Sequence, residues 1–137
     1  MSKSEDHPVG SVKHPNKEYS PKEVVALQVE ALGENDTPHE NAGIEVAYNF
    51  ASPENRASTG PLRQFKNMVQ NRLYRPMIDH EKASTAQIER NGQKARQEVT
   101  LTKDGAEYTY VFTLSKQMSG EWENCWMTDA VRHTGSN

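Results

Sequence analysis

The chain has 137 residues, with 16 Lys and Arg against 19 Asp and Glu and a net charge of -3. That length suits one compact core and would leave two cores undersized. Without a broad cationic field, an electrostatic grip on nucleic acid or anionic lipid is not expected. A single cysteine, Cys125, excludes an intrachain disulfide framework and any site built from several thiolates of one chain. No stretch approaches the roughly 20 apolar residues of a membrane span, and Met1 to Tyr19 has no apolar leader core, so a cytoplasmic protein without membrane contact is expected.

Met1 to Tyr19 mixes Pro8, Gly10 and Pro15 with charges and shows no periodicity. Such a composition cannot bury enough surface to order itself. The sequence therefore predicts a disordered polar tail over residues 1–19 and a single domain over 20–133. Ser20, Pro21 and Glu23 supply a capping hydroxyl, a first-turn proline and a carboxylate that reaches back. Val24, Val25, Leu27, Ala31 and Leu32 then form one apolar stripe that stops at Gly33, which makes the first helix. Thr37-Pro38 repeats the start signal, and Ile44, Ala47, Tyr48 and Ala51 keep helical spacing to about Phe50. Ser52 to Arg56 reads as an interruption. Thr59-Gly60-Pro61 opens a third helix, with Leu62, Phe65, Val69 and Leu73 on one side, which ends before Pro76.

Beyond Pro76 the apolar rhythm changes from helical to alternating. Strands are expected over Thr85 to Arg90, Arg96 to Lys103, Ala106 to Gln117 and Trp122 to Arg132, joined at Asn91-Gly92, Asp104-Gly105 and Ser119-Gly120. The predicted fold class is α+β: three N-terminal helices packed on a curved antiparallel sheet of about four strands. The last strand is apolar on both faces, Trp122 and Trp126 on one, Cys125, Met127 and Val131 on the other, whereas an open antiparallel sheet usually wets one face. Either a two-fold mate covers the second face, giving a homodimer through the sheet, or the sheet curls enough to cover both faces itself.

Three capped helices followed by a meander that closes through a Gly-x-Trp turn resemble the cone-shaped domains of the nuclear transport factor 2-like superfamily, which includes ketosteroid isomerase. Within it, Phe50-Ala51-Ser52-Pro53, Gly60, Phe65, Tyr74-Arg75-Pro76 and the run from Gln117 through Gly120-x-Trp122-x-x-Cys125 resemble a bacterial family of unknown function. The resemblance spans about Pro21 to Val131. It implies a cone with a hollow between helices and sheet, and it transfers no catalytic role, because no segment reproduces the tyrosine and carboxylic-acid oxyanion arrangement of the isomerases.

That hollow is where such a fold would bind a small molecule. Gln28 lies on the stripe of the first helix and Gln97 shares parity with Val99 and Leu101, so both amides point inward. They either present hydrogen bonds to a ligand or bridge helix to sheet and satisfy loop backbone. Tyr48, Tyr74, Tyr108 and Tyr110, with Trp126, give either an aromatic lining for a flat apolar ligand or plain core. Asp129 and His80 are the candidate acid or base; Asp129 and His133 lie about 13 Å apart on an extended strand and form no local dyad. The five histidines have no metal-ligand spacing, so neither metal nor cofactor is expected, and Cys125 reads as a packed hydrophobe. The first functional reading is a homodimeric, non-catalytic binding or interaction module that admits a small apolar ligand. The alternative is an acid-base isomerase or dehydratase acting on a small apolar or aromatic substrate, in which Asp129 or His80 takes a proton and Tyr48 or Tyr74 steadies oxyanion charge.

Overall fold

Ser20 starts the first helix as its sequence predicts. In the computed structural model, which describes residues 12–136, Glu23 N donates to Ser20 Oγ at 3.2 Å and Ser20 N donates to Glu23 Oε1 at 2.8 Å. This reciprocal cap satisfies two backbone donors that an uncapped helix end would leave open. Helix α1 runs Pro21–Gly33 and buries Val24, Val25, Val29 and Leu32. The segment expected as a tail divides in two. Residues 1–11 lie outside the described residues, whereas Val12 to Tyr19 runs along the domain, with Pro15 buried and the Tyr19 ring 6.2 Å from that of Phe50.

The second helix, α2, is Ala42–Phe50 and starts later than Thr37-Pro38 suggested. The turn chemistry before it explains the delay. Asn35, itself buried, accepts Ile44 N at its Oδ1 and takes Gly43 N on its backbone carbonyl. Asp36 Oδ1 accepts Asn41 N, and Asn41 adopts a left-handed φ of 63° as the N-cap. These side chains compete successfully with helical hydrogen bonding over 37–41. Gly43 then lets α2 approach the backbone carbonyl of Ala31 on α1 more closely than any side chain would allow.

Ser52 interrupts the second helix as expected, but the residues after it start a further helix, so four helices are described and not three. The Ser52-Pro53 pair works as Ser20-Pro21 does: Ser52 Oγ accepts Asn55 N at 3.2 Å and α3 spans Pro53–Thr59. Arg56 turns back on α2, donating to the carbonyls of Tyr48 and Asn49 and setting its guanidinium 4.4 Å over the Tyr48 ring. Helix α4, Leu62–Val69, is shorter than expected and does not reach Pro76. Asn71 Oδ1 accepts Leu73 N and Tyr74 N and ends the helical run, which leaves Leu73 half exposed before a short 3-10 turn at Arg75–Met77.

The sheet is antiparallel and has five strands among the described residues rather than about four: β1 Lys82–Thr85, β2 Glu89–Asn91, β3 Lys94–Lys103, β4 Ala106–Lys116 and β5 Trp126–Ser136. Its order is β1-β3-β4-β5, with β2 following β1 along the same flank of β3. The expected Thr85 to Arg90 strand is thus two pieces with Ala86 to Ile88 between them. Gln97 Nε2 bridges that break by donating to Ala86 O at 2.8 Å. Asp104 and Gly105 make the predicted β3–β4 hairpin with φ of 53° and 81°.

The last strand begins at Trp126 rather than Trp122. Residues 117–125 close on themselves through Asn124 N to Gln117 O and Gln117 N to Cys125 O, and Trp122 lies in this loop beside His14, not on the sheet face with Trp126. A register shift between Thr113 and Leu114 makes Asp129 an extra residue in β5. Beyond it the parity reverses, so Val131 opposes Phe112 on the helix side instead of sharing the outer face with Met127. The inner face carries Val99, Leu101, Tyr110, Phe112, Leu114 and Trp126 into the helix-covered core. On the outer face Val111 and Met127 are already buried within one chain, as is Cys125 in the loop before β5. Neighbouring outer positions are polar, for example Thr100 and Thr109, whose hydroxyls meet at 3.1 Å. No helix among the described residues is long and apolar enough to cross a membrane.

Candidate functional site

Thr128 is where three elements converge. Its carbonyl accepts Ser52 N at 2.8 Å and Asn55 Nδ2 at 3.1 Å, and Ala51 forms an isolated parallel bridge to it. The α2–α3 junction therefore lies along the outer edge of β5. Its hydroxyl accepts Gln28 Nε2 from α1 at 2.7 Å, and Gln28 Nε2 also donates to Val24 O at 3.1 Å. Both residues are buried. Between α1, α3, α4 and the inner side of β4 and β5 lies a cleft-like hollow of about 350 Å3, lined by Gln28 and Thr128 together with apolar groups such as Phe65, Met68, Val69 and Phe112.

The Gln28 amide has two N–H bonds, and Val24 and Thr128 take both. Among the described residues no donor meets its Oε1. That oxygen keeps some accessible surface; the wholly buried amide oxygen without a partner among the predicted site residues is Gln97 Oε1. The hollow thus offers an acceptor at Gln28 beside the Thr128 hydroxyl, whose own proton is free to donate.

Tyr74 and Asp129 also line this space. The Tyr74 hydroxyl donates to Val131 O at 2.9 Å. Asp129 accepts from the Ser115 hydroxyl at 3.0 Å and stands 3.9 Å from Lys94 Nζ. The remaining candidates lie elsewhere. Tyr48 is held between Arg56 and the edge of Phe65. Tyr110 is fully buried and donates to Leu73 O at 2.7 Å; burial pushes its phenol well above the usual range, and the phenols of Tyr108 and Tyr74 add to the rise. Tyr108 borders a separate surface groove of about 650 Å3 that also carries Arg75 and Asp104. Gln97 serves the Ala86 backbone, and the buried Trp126 packs under the Arg90 guanidinium at 4.9 Å.

His80 sits outside the hollow. Its ring packs against Gly33, and Nδ1 lies 2.8 Å from Met77 O, so Nδ1 carries the proton that it donates there. Cys125 is buried, and burial raises its thiol pKa, an effect that Lys17 partly offsets. Among the described residues no group of three His, Cys, Asp or Glu is placed to hold a metal ion.

Thr128, Asn55, Ser58 and Glu54 are lining residues that sequence reasoning missed. The Ser52-Pro53 cap could have revealed the last three, because it announces a helix instead of a loop. A larger groove of about 540 Å3 lies between Val12 to Tyr19 and the outer side of α1. It lies away from the sheet and contains no buried polar side chain comparable to Gln28, so the hollow between helices and sheet is the better candidate.

Among the described residues, fold and site together define an α+β domain in which four helices and one antiparallel sheet hold a small, mainly apolar hollow. The chain belongs to the family described as a domain of unknown function, DUF4864, whose model matches residues 15–132. No curated protein and no solved structure matches it.

Proposed function

We propose that the protein is a non-catalytic binding module of nuclear transport factor 2-like architecture, whose hollow takes a small apolar or aromatic molecule through one polar group. The observation that carries this reading is the Gln28–Thr128 pair, an acceptor and a hydroxyl in an otherwise largely apolar space of about 350 Å3. That volume lies at the low end of the roughly 300–1,000 Å3 of small-molecule sites, where a few fixed polar groups orient a mostly apolar ligand.

The isomerase or dehydratase reading asks for a base within reach of a substrate proton and a donor aimed at developing charge. The groups nominated for those roles are engaged elsewhere. Tyr74 spends its proton on Val131, Asp129 is tied to Ser115, and His80 is outside the hollow. A homodimer remains part of the proposal: the outer edge of β5 is met by Ser52, Asn55 and Tyr74 from Thr128 to Val131, and the strand continues past them to Ser136 as a template for a second copy.

Saturation-transfer NMR with neutral aromatic fragments tests the binding reading. Ser58 is an exposed residue of the lining, so Ser58→Trp closes the space without disturbing the core. Fragment signals should appear with the native protein and fade in S58W at unchanged thermal stability. Fragments that bind both proteins equally would remove the hollow from the account.

A further inference from the structure

Asn91-Gly92 is the single Asn-Gly pair of the chain and stands at the turn between β2 and β3. The Asn91 side chain is exposed and makes no hydrogen bond among the described residues. Asn35, Asn49, Asn55 and Asn71, by contrast, are each held through their side-chain amide. Gly92 has a left-handed φ of 65°, and nothing lies within 4 Å of where its Cβ would stand. No described backbone carbonyl takes its N–H. β2 is three residues long, exposed throughout, and ends at Asn91. The backbone rotation that carries the Asn91 side chain over the Gly92 nitrogen therefore asks only that the end of this short strand fray.

From this placement we infer that Asn91-Gly92 is a site of self-modification, independent of the hollow. Gly92 N, on losing its proton to hydroxide, attacks Asn91 Cγ. The new N–Cγ bond replaces the Cγ–Nδ2 bond, Nδ2 leaves as ammonia with a proton returned from water, and a cyclic imide remains. One water then adds at either imide carbonyl and breaks its bond to nitrogen, which gives aspartate or iso-aspartate at position 91. Either product adds one negative charge. The adjoining groove of about 500 Å3 is lined by three cations, Arg90, Lys94 and Arg96, and by three acids, Glu54, Glu89 and Asp129. One more carboxylate tips that balance to net negative. Asn91 is paired with Lys94 across the hairpin, so aspartate there gains a cross-strand partner, whereas iso-aspartate inserts a methylene into the main chain and disturbs the register of β2 on β3. Asp104-Gly105 should stay intact, because it closes the ten-residue β3 on the eleven-residue β4 and Glu81 Oε2 accepts Asp104 N at 2.8 Å.

Incubation of the full chain in 18O-labelled water at mildly alkaline pH, beside a free peptide of residues 89–94, tests this. Peptide mapping after cleavage at glutamate should find 18O and the mass gain of an NH2-to-OH exchange at Asn91 alone, divided between two products that separate on chromatography. The folded protein should convert within about tenfold of the rate of the peptide, since fraying a short exposed strand end costs little. Both rates should climb with pH, as hydroxide frees the Gly92 nitrogen. Asn91→Ser should yield no acidic form on ion exchange while its Tm stays that of the native protein. A folded protein slower than that tenfold limit, label at another asparagine instead, or an acidic form that persists in N91S would overturn the site.

Discussion

Gln28 and Thr128, one hundred residues apart in sequence, share a 2.7 Å hydrogen bond that joins the first helix to the last strand. The same Thr128 also receives Ser52 N and Asn55 Nδ2 on its carbonyl. One residue of an edge strand thereby fixes α1 and the start of α3 around the hollow. Structural support and, on the proposed reading, ligand presentation fall on the same pair: the amide protons of Gln28 hold the fold, and its oxygen meets no donor among the described residues.

Replacing Gln28 by Leu should cost about 1–3 kcal/mol of unfolding free energy, because the buried Thr128 hydroxyl loses its donor. Thr128→Val should cost less in the Q28L background than in the native protein, since the second change then removes a group already without its partner. Urea denaturation of the four proteins of this cycle measures the coupling. Costs that simply add would mean that the bond contributes nothing specific.

At Gly43 an added Cβ would fall inside contact distance of the Ala31 carbonyl and beside Asn35 Oδ1. The obstacle is backbone, which cannot rotate away as a side chain would. Gly43→Ala should therefore destabilise by about 1–3 kcal/mol or more, although alanine is the better helix former. Thermal unfolding monitored by circular dichroism checks the sign; an increase in Tm would contradict the close packing of α1 on α2.

Burial keeps the Tyr110 phenol protonated in the folded chain beyond its usual range. In the unfolded chain a tyrosine releases its proton near pH 10. The contribution of Tyr110 to stability is thus complete below about pH 10 and declines as the pH rises above it, because the unfolded state then binds fewer protons. A spectrophotometric phenol titration should show one tyrosine that resists ionisation in the folded protein, and Tyr110→Phe should abolish that signal. The variant also loses the bond to Leu73 O and should be less stable by about 1 kcal/mol at neutral pH.

Cys125 is buried with its thiol pKa raised. Thiolate is the reactive form, so a disulfide reagent should label the folded protein slowly and the denatured protein rapidly. Rapid labelling of the folded protein would contradict the burial of Cys125.

The elements with local signals were legible. The Ser20-Pro21-Glu23 cap, the Asp104-Gly105 hairpin and the alternation from Tyr108 to Leu114 each determine structure from neighbours a few residues away. What was not legible depends on distant partners. Nothing near Asp129 in sequence announces the bulge that reverses the parity of β5, since a bulge is defined by register against β4. The break between β1 and β2 likewise becomes visible only once Gln97 is placed opposite Ala86. The inward aim of Gln28 was readable from its helical stripe, whereas Thr128 passed unnoticed because a threonine in a strand usually signifies propensity alone. Ser52-Pro53 was misread for a different reason: its cap was present, but the seven-residue helix that it starts has no buried residue to give an apolar rhythm.

The side-chain amide resonance of Gln28 in 15N-labelled protein tests the central claim most directly, because that group holds the Thr128 hydroxyl with its protons and presents its oxygen to the hollow. Titration with 3-phenylpropanol should move this resonance together with the backbone signals of Thr128 and Ser58, in a saturable manner. Shifts confined to the groove along Lys13 to Tyr19, or a Gln28 resonance that stays in place while the fragment binds, would contradict the account.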